Sequence, residues 1–366
     1  MLLAVFRDIF PFLAVLYALD SFAWVGALDL LFARRLWGWS AVEGRGVRLA
    51  GILPLDLAFS AAGPAAIPTS DGLLLPEPTV RGAHAYDPER WTRLPWERIS
   101  PEVEEATLRL GGPHRVRLPS RSHAEALREL LEEVRGLAPD AREKRLAKHA
   151  GRTLDLDAAQ ARLETFREET QFLRFLSWAL FVLTLLLLPA VLYLHPRPDI
   201  LLVPLLAGIL ALYLAVVGAA AFVGSRLRQD GLLRRSAPIS TLLLSPISAT
   251  RAVPALGRHL FEGSDPLAVA ALLLPRDGFL ARVRADLHGA AFAAERGEEG
   301  WRRHWTERRN ALLRLLGRMG IGEAEAFAAP DRRDPEAQSW CPFCSTEYKS
   351  ANGSCEDCGL PLARFS

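Results

Sequence analysis

The sequence predicts a multi-domain membrane protein, in which transmembrane α-helices carry a small antiparallel β domain with a C-terminal helix, a helical segment and a short cysteine-bearing tail. Three observations point there. Two charge-free apolar runs, residues 175–194 and 200–224, lie almost end to end. Between residues 40 and 137 the apolar pattern changes from short, turn-broken pieces to a helical stripe. All four cysteines of the 366-residue chain fall within "CPFCSTEYKSANGSCEDCGLPL", residues 341–362.

The two apolar runs come first because they set the compartment. A helix of ~20 residues rising ~1.5 Å per residue crosses a hydrocarbon core of ~30 Å, so each run is long enough to span. Five residues, "HPRPD", separate them, which predicts a tight antiparallel hairpin over 172–225. A third span is expected in domain 1–36, from "IFPFLAVLYALDSFAWVGALDLLFA" at residues 9–33, although Asp20 and Asp29 interrupt it. Its length and lack of a basic leader argue against a cleaved signal peptide.

Arginine placement sets the orientation. Arg34, Arg35, Arg45 and Arg48 follow the first segment, Arg162, Arg167 and Arg174 precede the second, and Arg226, Arg228, Arg234 and Arg235 follow the third; the other side has Arg7 and Arg197. Positive residues near helix ends stay in the cytoplasm, so the N-terminus and the 195–199 turn are expected outside and the soluble parts inside. Lysine is nearly absent beside arginine, and Ala, Gly and Pro are abundant, as in a GC-rich bacterial genome. The expected location is a bacterial inner membrane.

Within the 40–137 block, turn signals at Gly63-Pro64, Asp71-Gly72 and Gly111-Gly112-Pro113 separate short strand-like pieces at 73–75, 94–99, 103–110 and 114–118. From Ser122, with Glu125 at capping-box spacing, Leu127, Leu130, Leu131, Val134 and Leu137 line one helical face. The stretches "SDGLLLPEP", "RLPWERISPEVEEATLRLGG" and "HRVRLPSRSHAEALRELLEEV" resemble a bacterial pleckstrin-homology-like domain. That resemblance implies a curved antiparallel sheet capped by a C-terminal helix, in domains that bind lipids, peptides or nothing identified. Two uses compete for Arg115, Arg117 and Arg121: contact with anionic lipid, or, the favoured one, solvated strand and loop arginines beside a membrane.

Residues 138–171 read as a linker and cytoplasmic helix: 138–155 is polar, and after it Leu156, Leu163, Phe166 and Leu173 recur at helical spacing, so the helix is expected to run on into the second span. Residues 236–330 read as a helical region. Its piece "LAVAALLLP" is too short to span a bilayer and is expected as a buried helix. Trp301, Trp305, Leu312, Leu316 and Met319 share one face of the last helix, and six arginines, Arg302 and Arg303 among them, lie largely off it. Two uses compete: packing on neighbouring helices, or lying on anionic lipid through Arg302 and Arg303.

In the tail, Cys341, Cys344, Cys355 and Cys358 have C-x2-C-x10-C-x2-C spacing. Each C-x2-C turn delivers two thiolates from one tight loop, and two such turns supply a tetrahedral zinc site. The segment 338–366 resembles a short four-cysteine zinc ribbon. A cytoplasmic location favours metal over disulfides. Four cysteine ligands leave no open position, so Zn2+ is expected to be structural. With Lys349 and Arg364 set against Glu347, Glu356 and Asp357, the tail is a poor footprint for a phosphate backbone, and a protein partner fits better than nucleic acid.

Asp20 is the remaining candidate, as an intramembrane acid. A carboxylate at mid-bilayer costs about 2.5–3.5 kcal/mol on insertion scales, so it must be protonated, paired or near an interface. Two arrangements compete: a proton or ion site facing Thr184, Tyr193 or Tyr213, or a helix ending near residue 19 with Asp20 at the boundary and Trp24, Trp37 and Trp39 in the interface. No nucleotide-binding glycine loop, nucleophile elbow or paired-histidine zinc motif occurs in the chain. The expected function is therefore non-enzymatic: a membrane-anchored scaffold or adaptor in contact with the lipid bilayer and a protein partner. A membrane enzyme or transport accessory using Asp20, or a regulator binding nucleic acid or lipid through 301–318, is the alternative.

Overall fold

The computed structural model describes residues 2–26, 29–35, 38–43, 45–77, 82–118, 121–194, 198–233 and 239–365. The chain divides into two compact units, Met1–Ala62 with Asp157–Gly263 and Gly63–Leu156 with Ser264–Ser366.

In the first unit the N-terminal helix, Leu2–Asp20, lies along the first apolar run, with Phe10 against Tyr193 (ring centroids 6.4 Å) and Tyr17 against Phe181 (5.5 Å). It stops at Asp20, well short of the expected residue 33, because the sequence then changes period. Phe22–Val25 alternates exposed and buried side chains as strand β1, and Asp29–Arg35 forms β2. The expected 1–36 membrane helix is therefore a 19-residue helix, Leu2–Asp20, followed by strands.

Strands β3 (Gly38–Val42) and β5 (Ala58–Ala62) flank β2 in an antiparallel sheet of order β3-β2-β5, while β1 pairs with β4 (Gly46–Leu49) as a two-stranded ribbon. Ala23, Val25, Leu31, Ala50 and Ala58 form a small core between them. A second cluster centres on Phe59, which packs against Trp39, Phe166 and Phe261 at centroid distances of 5.4, 6.1 and 5.1 Å. Buried Arg251 joins helix to ribbon: it donates to Ser21 Oγ (3.1 Å), Ile52 O (3.3 Å) and Gly51 O (2.9 Å), and its guanidinium lies 5.4 Å from the centre of the Tyr17 ring.

Two helices of this unit, Gln171–Leu194 and Ile200–Gln229, are long and apolar enough to cross a membrane. Only 33% and 17% of their most apolar stretches are buried, whereas the core helix of a soluble protein would be mostly covered. The first contains a π-helical stretch, Val182–Leu187, in which Thr184 Oγ1 donates back to Leu180 O at 2.6 Å, just before Pro189 removes a backbone donor. The turn at 195–197, Trp37 and Arg234–Arg235 lie outside the described residues.

Two three-stranded antiparallel sheets of the second unit come from its first segment: β6 (Ile67–Pro68), β7 (Gly72–Pro76) and β8 (Trp91–Pro95); and β9 (Glu102–Glu104), β10 (Thr107–Arg109) and β11 (Arg115–Arg117). Helix Arg121–Arg135 closes them over a core that includes Leu73, Leu94, Trp96, Leu108, Leu131 and Val134. The expected 40–137 block is thus divided, its strands up to Ala62 belonging to the first unit. The 236–330 region is divided in the same way after Gly263.

The polar 138–155 linker is instead a helix, Pro139–Thr153. Pro139 starts it in the first turn, where a missing N–H costs nothing. Arg142 lies 5.5 Å from the centre of the Trp96 ring, and Arg145 makes a two-pronged bond to Glu133 at 2.5 and 2.6 Å. Further helices of the unit are Pro266–Leu273, Arg276–Ala294, Glu299–Arg318 and the single turn Glu323–Ala326. The first buries Leu267, Ala268, Val269, Ala270 and Leu273.

Candidate metal centre

Three two-residue strands build the tail: β12 (Ser339–Trp340) lies between β13 (Glu347–Tyr348) and β14 (Ala363–Arg364). The two cysteine turns have matching backbones. Cys341 accepts from Ser345 N (2.9 Å) and donates to Thr346 O (2.8 Å); Cys355 accepts from Gly359 N (2.8 Å) and donates to Leu360 O (2.8 Å). At the same place in each turn the chain enters the left-handed region, at Ser345 (φ 59°) and Gly359 (φ 68°). This fold-back points both thiols of each turn the same way.

All four Sγ atoms lie within 4.8 Å of one another, and Cys344 Sγ is 3.6 Å from Cys355 Sγ. A tetrahedron of thiolates with zinc–sulfur bonds of ~2.3 Å has edges of ~3.8 Å, so this donor set fits such an ion. Cys341, Cys355 and Cys358 are buried, and Cys344 is exposed. Burial pushes the Cys341 thiol up to about 11 and raises Cys358 as well. Burial also works against ionisation of Cys355, yet the Tyr348 hydroxyl, 3.2 Å from its sulfur, and the backbone N–H groups of Cys358 and Asp357 bring it down to about 7. Loading an ion must therefore displace protons, which makes affinity pH-dependent.

The tail is not a free appendage of its unit. Cys341, Cys355, Cys358 and Leu360 share one buried cluster with Ile67, Leu74, Tyr86, Ala290, Ala293, Trp301 and Trp305. Phe343, inside the first cysteine turn, meets Tyr86 at 6.3 Å, and fully buried Trp340 meets His288 at 5.8 Å with Arg284 5.9 Å from its ring centre. Gly289 permits the approach on the helix side, since a Cβ there would sit 2.4 Å from the Tyr86 ring.

Beneath Tyr86 lies a polar network with no local sequence signature. Tyr86 OH donates to Asp286, and Arg308 bonds Asp286 Oδ2 (2.6 Å) and Asp265 Oδ2 (2.7 Å). Asp265 also caps helix Pro266–Leu273 by accepting from Leu267 N at 2.9 Å. Arg308 is thus a buried ion-pair residue, not one of the solvated arginines expected on that helix. Its neighbour His304 is held down to about 3 by burial and by the Arg308 charge, and His288 to about 4 by burial and Arg284.

The other expected site residues do not converge on the cysteines. Asp20 is the exposed last residue of its helix and accepts from Ser248 Oγ at 2.9 Å. Its expected partners are engaged elsewhere: Thr184 with Leu180 O, Tyr213 with Leu243 O (3.0 Å), and Tyr193 against Phe10. Arg115 and Arg117 are exposed on edge strand β11. Arg302 pairs with Glu299 at 2.8 Å, and Arg303 with Glu143 and Glu299. Trp301, Trp305, Leu312 and Leu316 are buried, so of the two uses expected for that helix, packing on its neighbours is the one found.

No protein-family model, no curated protein and no solved structure matches this chain.

Proposed function

We propose that this protein is a non-enzymatic, membrane-anchored scaffold or adaptor of the bacterial inner membrane, whose C-terminal segment is folded around a structural zinc ion. The observation that carries the reading is the convergence of four thiols within 4.8 Å, which fills all four positions of a tetrahedral site with protein and leaves none for a substrate. The chain's own residues hold the ion and draw down one thiol in advance, and the ion supplies stability that so small a segment cannot find in its own core. The hairpin of Gln171–Leu194 and Ile200–Gln229 serves as anchor, with the arginine-rich flanks on the cytoplasmic side.

Because one side of the zinc segment packs on its own unit, contact with a protein partner falls to the exposed side, which carries Cys344, Lys349, Glu356 and Asp357. The pleckstrin-homology-like resemblance stays a proposal for residues 70–137, with Arg115 and Arg117 as exposed basic residues.

The test is metal analysis of protein purified from membranes by detergent. One zinc per chain, lost when Cys341 and Cys355 are both serine, is the expected result, together with resistance to alkaline extraction from the membrane. A metal-free protein that melts identically with and without chelator refutes the zinc reading, and release by alkali refutes the anchor. For the adaptor role, Glu356→Arg with Asp357→Arg should remove specific co-purifying proteins while zinc content is kept.

A further inference from the structure

The β1–β4 ribbon carries its apolar residues on the wrong side for a soluble protein. Its inward face, Ala23 and Val25, is buried. On the outward face, Phe22 is opposite Leu49 and Trp24 is opposite Val47, and all four are exposed, Trp24 by 64%. The loop that follows adds exposed Ile52, Leu53 and Leu55. The preceding helix leads into the same surface: Phe12, Val15, Leu16 and Leu19, at helical spacing, form an exposed stripe, while Phe10, Leu13 and Tyr17 face the hairpin. Contiguous apolar surface of this kind marks contact with a partner or a membrane.

The packing of the N-terminal helix fixes the depth of this surface. Phe10 meets Tyr193 near the end of the first span and Tyr17 meets Phe181 in its middle, so the helix descends as the span ascends. Continued past Tyr17, the same descent carries Asp20 and the ribbon after it toward the beginning of the span. We infer that the outward face of the β1–β4 ribbon, centred on Trp24, lies in one leaflet of the bilayer at the boundary between acyl chains and headgroups, as an in-plane element beside the hairpin. The occupant is lipid because the face follows the exposed apolar stripe of the N-terminal helix, with only Asp20 and Ser21 between them, and because tryptophan favours the boundary where a carboxylate still reaches water. Arg251, bonded to Ser21, Gly51 and Ile52, holds ribbon and helix in one orientation, so helix stripe and ribbon face enter the leaflet together.

The inference rests on the hairpin being the membrane anchor, and the experiment separates the two. A photoreactive benzoylphenylalanine replaces Trp24, Val47, Ala23 or Leu210 in the full chain, reconstituted in phosphatidylglycerol–phosphatidylethanolamine vesicles, and adducts are identified by intact mass. Leu210, exposed on Ile200–Gln229, reports the anchor. Phospholipid adducts at positions 24, 47 and 210 but not at 23 are expected. Lipid adducts at 210 with none at 24 and 47 overturn the ribbon inference and keep the anchor. Chain-to-chain adducts at 24 and 47 show that a second copy covers the face, which also overturns it. No lipid adduct at any position overturns both. The conservative variants Trp24→Phe and Val47→Leu, with unchanged melting, guard against misfolding as the cause of a negative result.

Discussion

The two cysteine turns differ at one structurally equivalent position, and that difference makes an opposite-sign prediction. Gly359 has φ 68° and Ser345 has φ 59°. A left-handed backbone costs an L-residue about 1–2 kcal/mol that glycine avoids, while glycine loses about 0.4–1 kcal/mol more in chain entropy on folding. The net cost of a side chain at this place is therefore about 1 kcal/mol. Nothing lies within 4 Å of a Cβ built at Gly359, so Gly359→Ala tests backbone strain without a clash. Because metal binding and folding of the segment are one process, the cost is read as metal affinity. Gly359→Ala should weaken zinc about fivefold and Ser345→Gly should strengthen it by a similar factor, 1 kcal/mol being about that ratio at room temperature. The assay is competition with a chromogenic chelator on the detergent-solubilised full chain at fixed pH. If the two substitutions shift affinity in the same direction, or if neither moves it, the matching of the two turns is not what holds the site.

Three more perturbations follow from the second unit. His304 and His288 are held neutral, at about 3 and about 4, by burial and by nearby arginines, whereas in the unfolded chain they take up protons near 6.5. A group whose folded value is lowered in this way favours unfolding as pH falls below its unfolded value. Each residue should therefore remove about 1–2 kcal/mol between pH 7 and pH 5, and a His304→Gln, His288→Gln double variant should flatten that part of the stability curve in chemical denaturation. Arg308→Met leaves Asp265 and Asp286 without their shared cation and should cost about 3–5 kcal/mol, with Asp286→Asn added to it recovering part of the loss. Gly289→Ala puts a methyl group 2.4 Å from the Tyr86 ring; it should lower the melting temperature and raise zinc loss to chelator, since Tyr86 contacts Phe343 of the first cysteine turn.

The parts of this molecule that rest on local chemistry were legible in its sequence. The apolar runs at 175–194 and 200–224, the stripe from Leu127 to Val134 and the C-x2-C pairs each declare themselves over a short window, and each corresponds to an element in the structure. What was missed depends on pairing at a distance. The strand character of Phe22–Val25 and Asp29–Arg35 is weak locally, because an apolar run read one residue at a time fits a helix as well as a buried strand. It emerges only when β2 finds β5 some thirty residues later, with Phe32 opposite Phe59. The division of the chain after Ala62 and Gly263 could not be read from composition, since both units are assembled from two separated segments. The helix Pro139–Thr153 looked like a linker because its stabilising contacts, Arg142 on Trp96 and Arg145 on Glu133, are made by charged residues. Arg308 hid among the other arginines of its helix for the same reason: its partners, Asp265 and Asp286, lie 43 and 22 residues away.

The docking of the cysteine segment sets what a bound metal would do for the rest of its unit. A zinc module that hangs from a linker can unfold without consequence for its neighbours. Here Cys341, Cys355 and Cys358 lie in the same buried cluster as Tyr86, Trp301 and Trp305, and Tyr86 continues through Asp286 to Arg308 and Asp265. Releasing the ion would free Phe343 and Trp340 from their positions and open one side of Tyr86, whose hydroxyl is tied into the ion network. Loss of metal should therefore lower the stability of the whole second unit, and its melting should follow zinc occupancy as a single transition. On the proposed adaptor reading, the outer surface of the cysteine segment would be presented only when the unit beneath is folded, which would couple partner contact to metal content through the Tyr86 cluster. If chelation left the fluorescence of buried Trp301 and Trp305 unchanged while zinc was fully removed, the segment would be an independent module and that coupling would be absent.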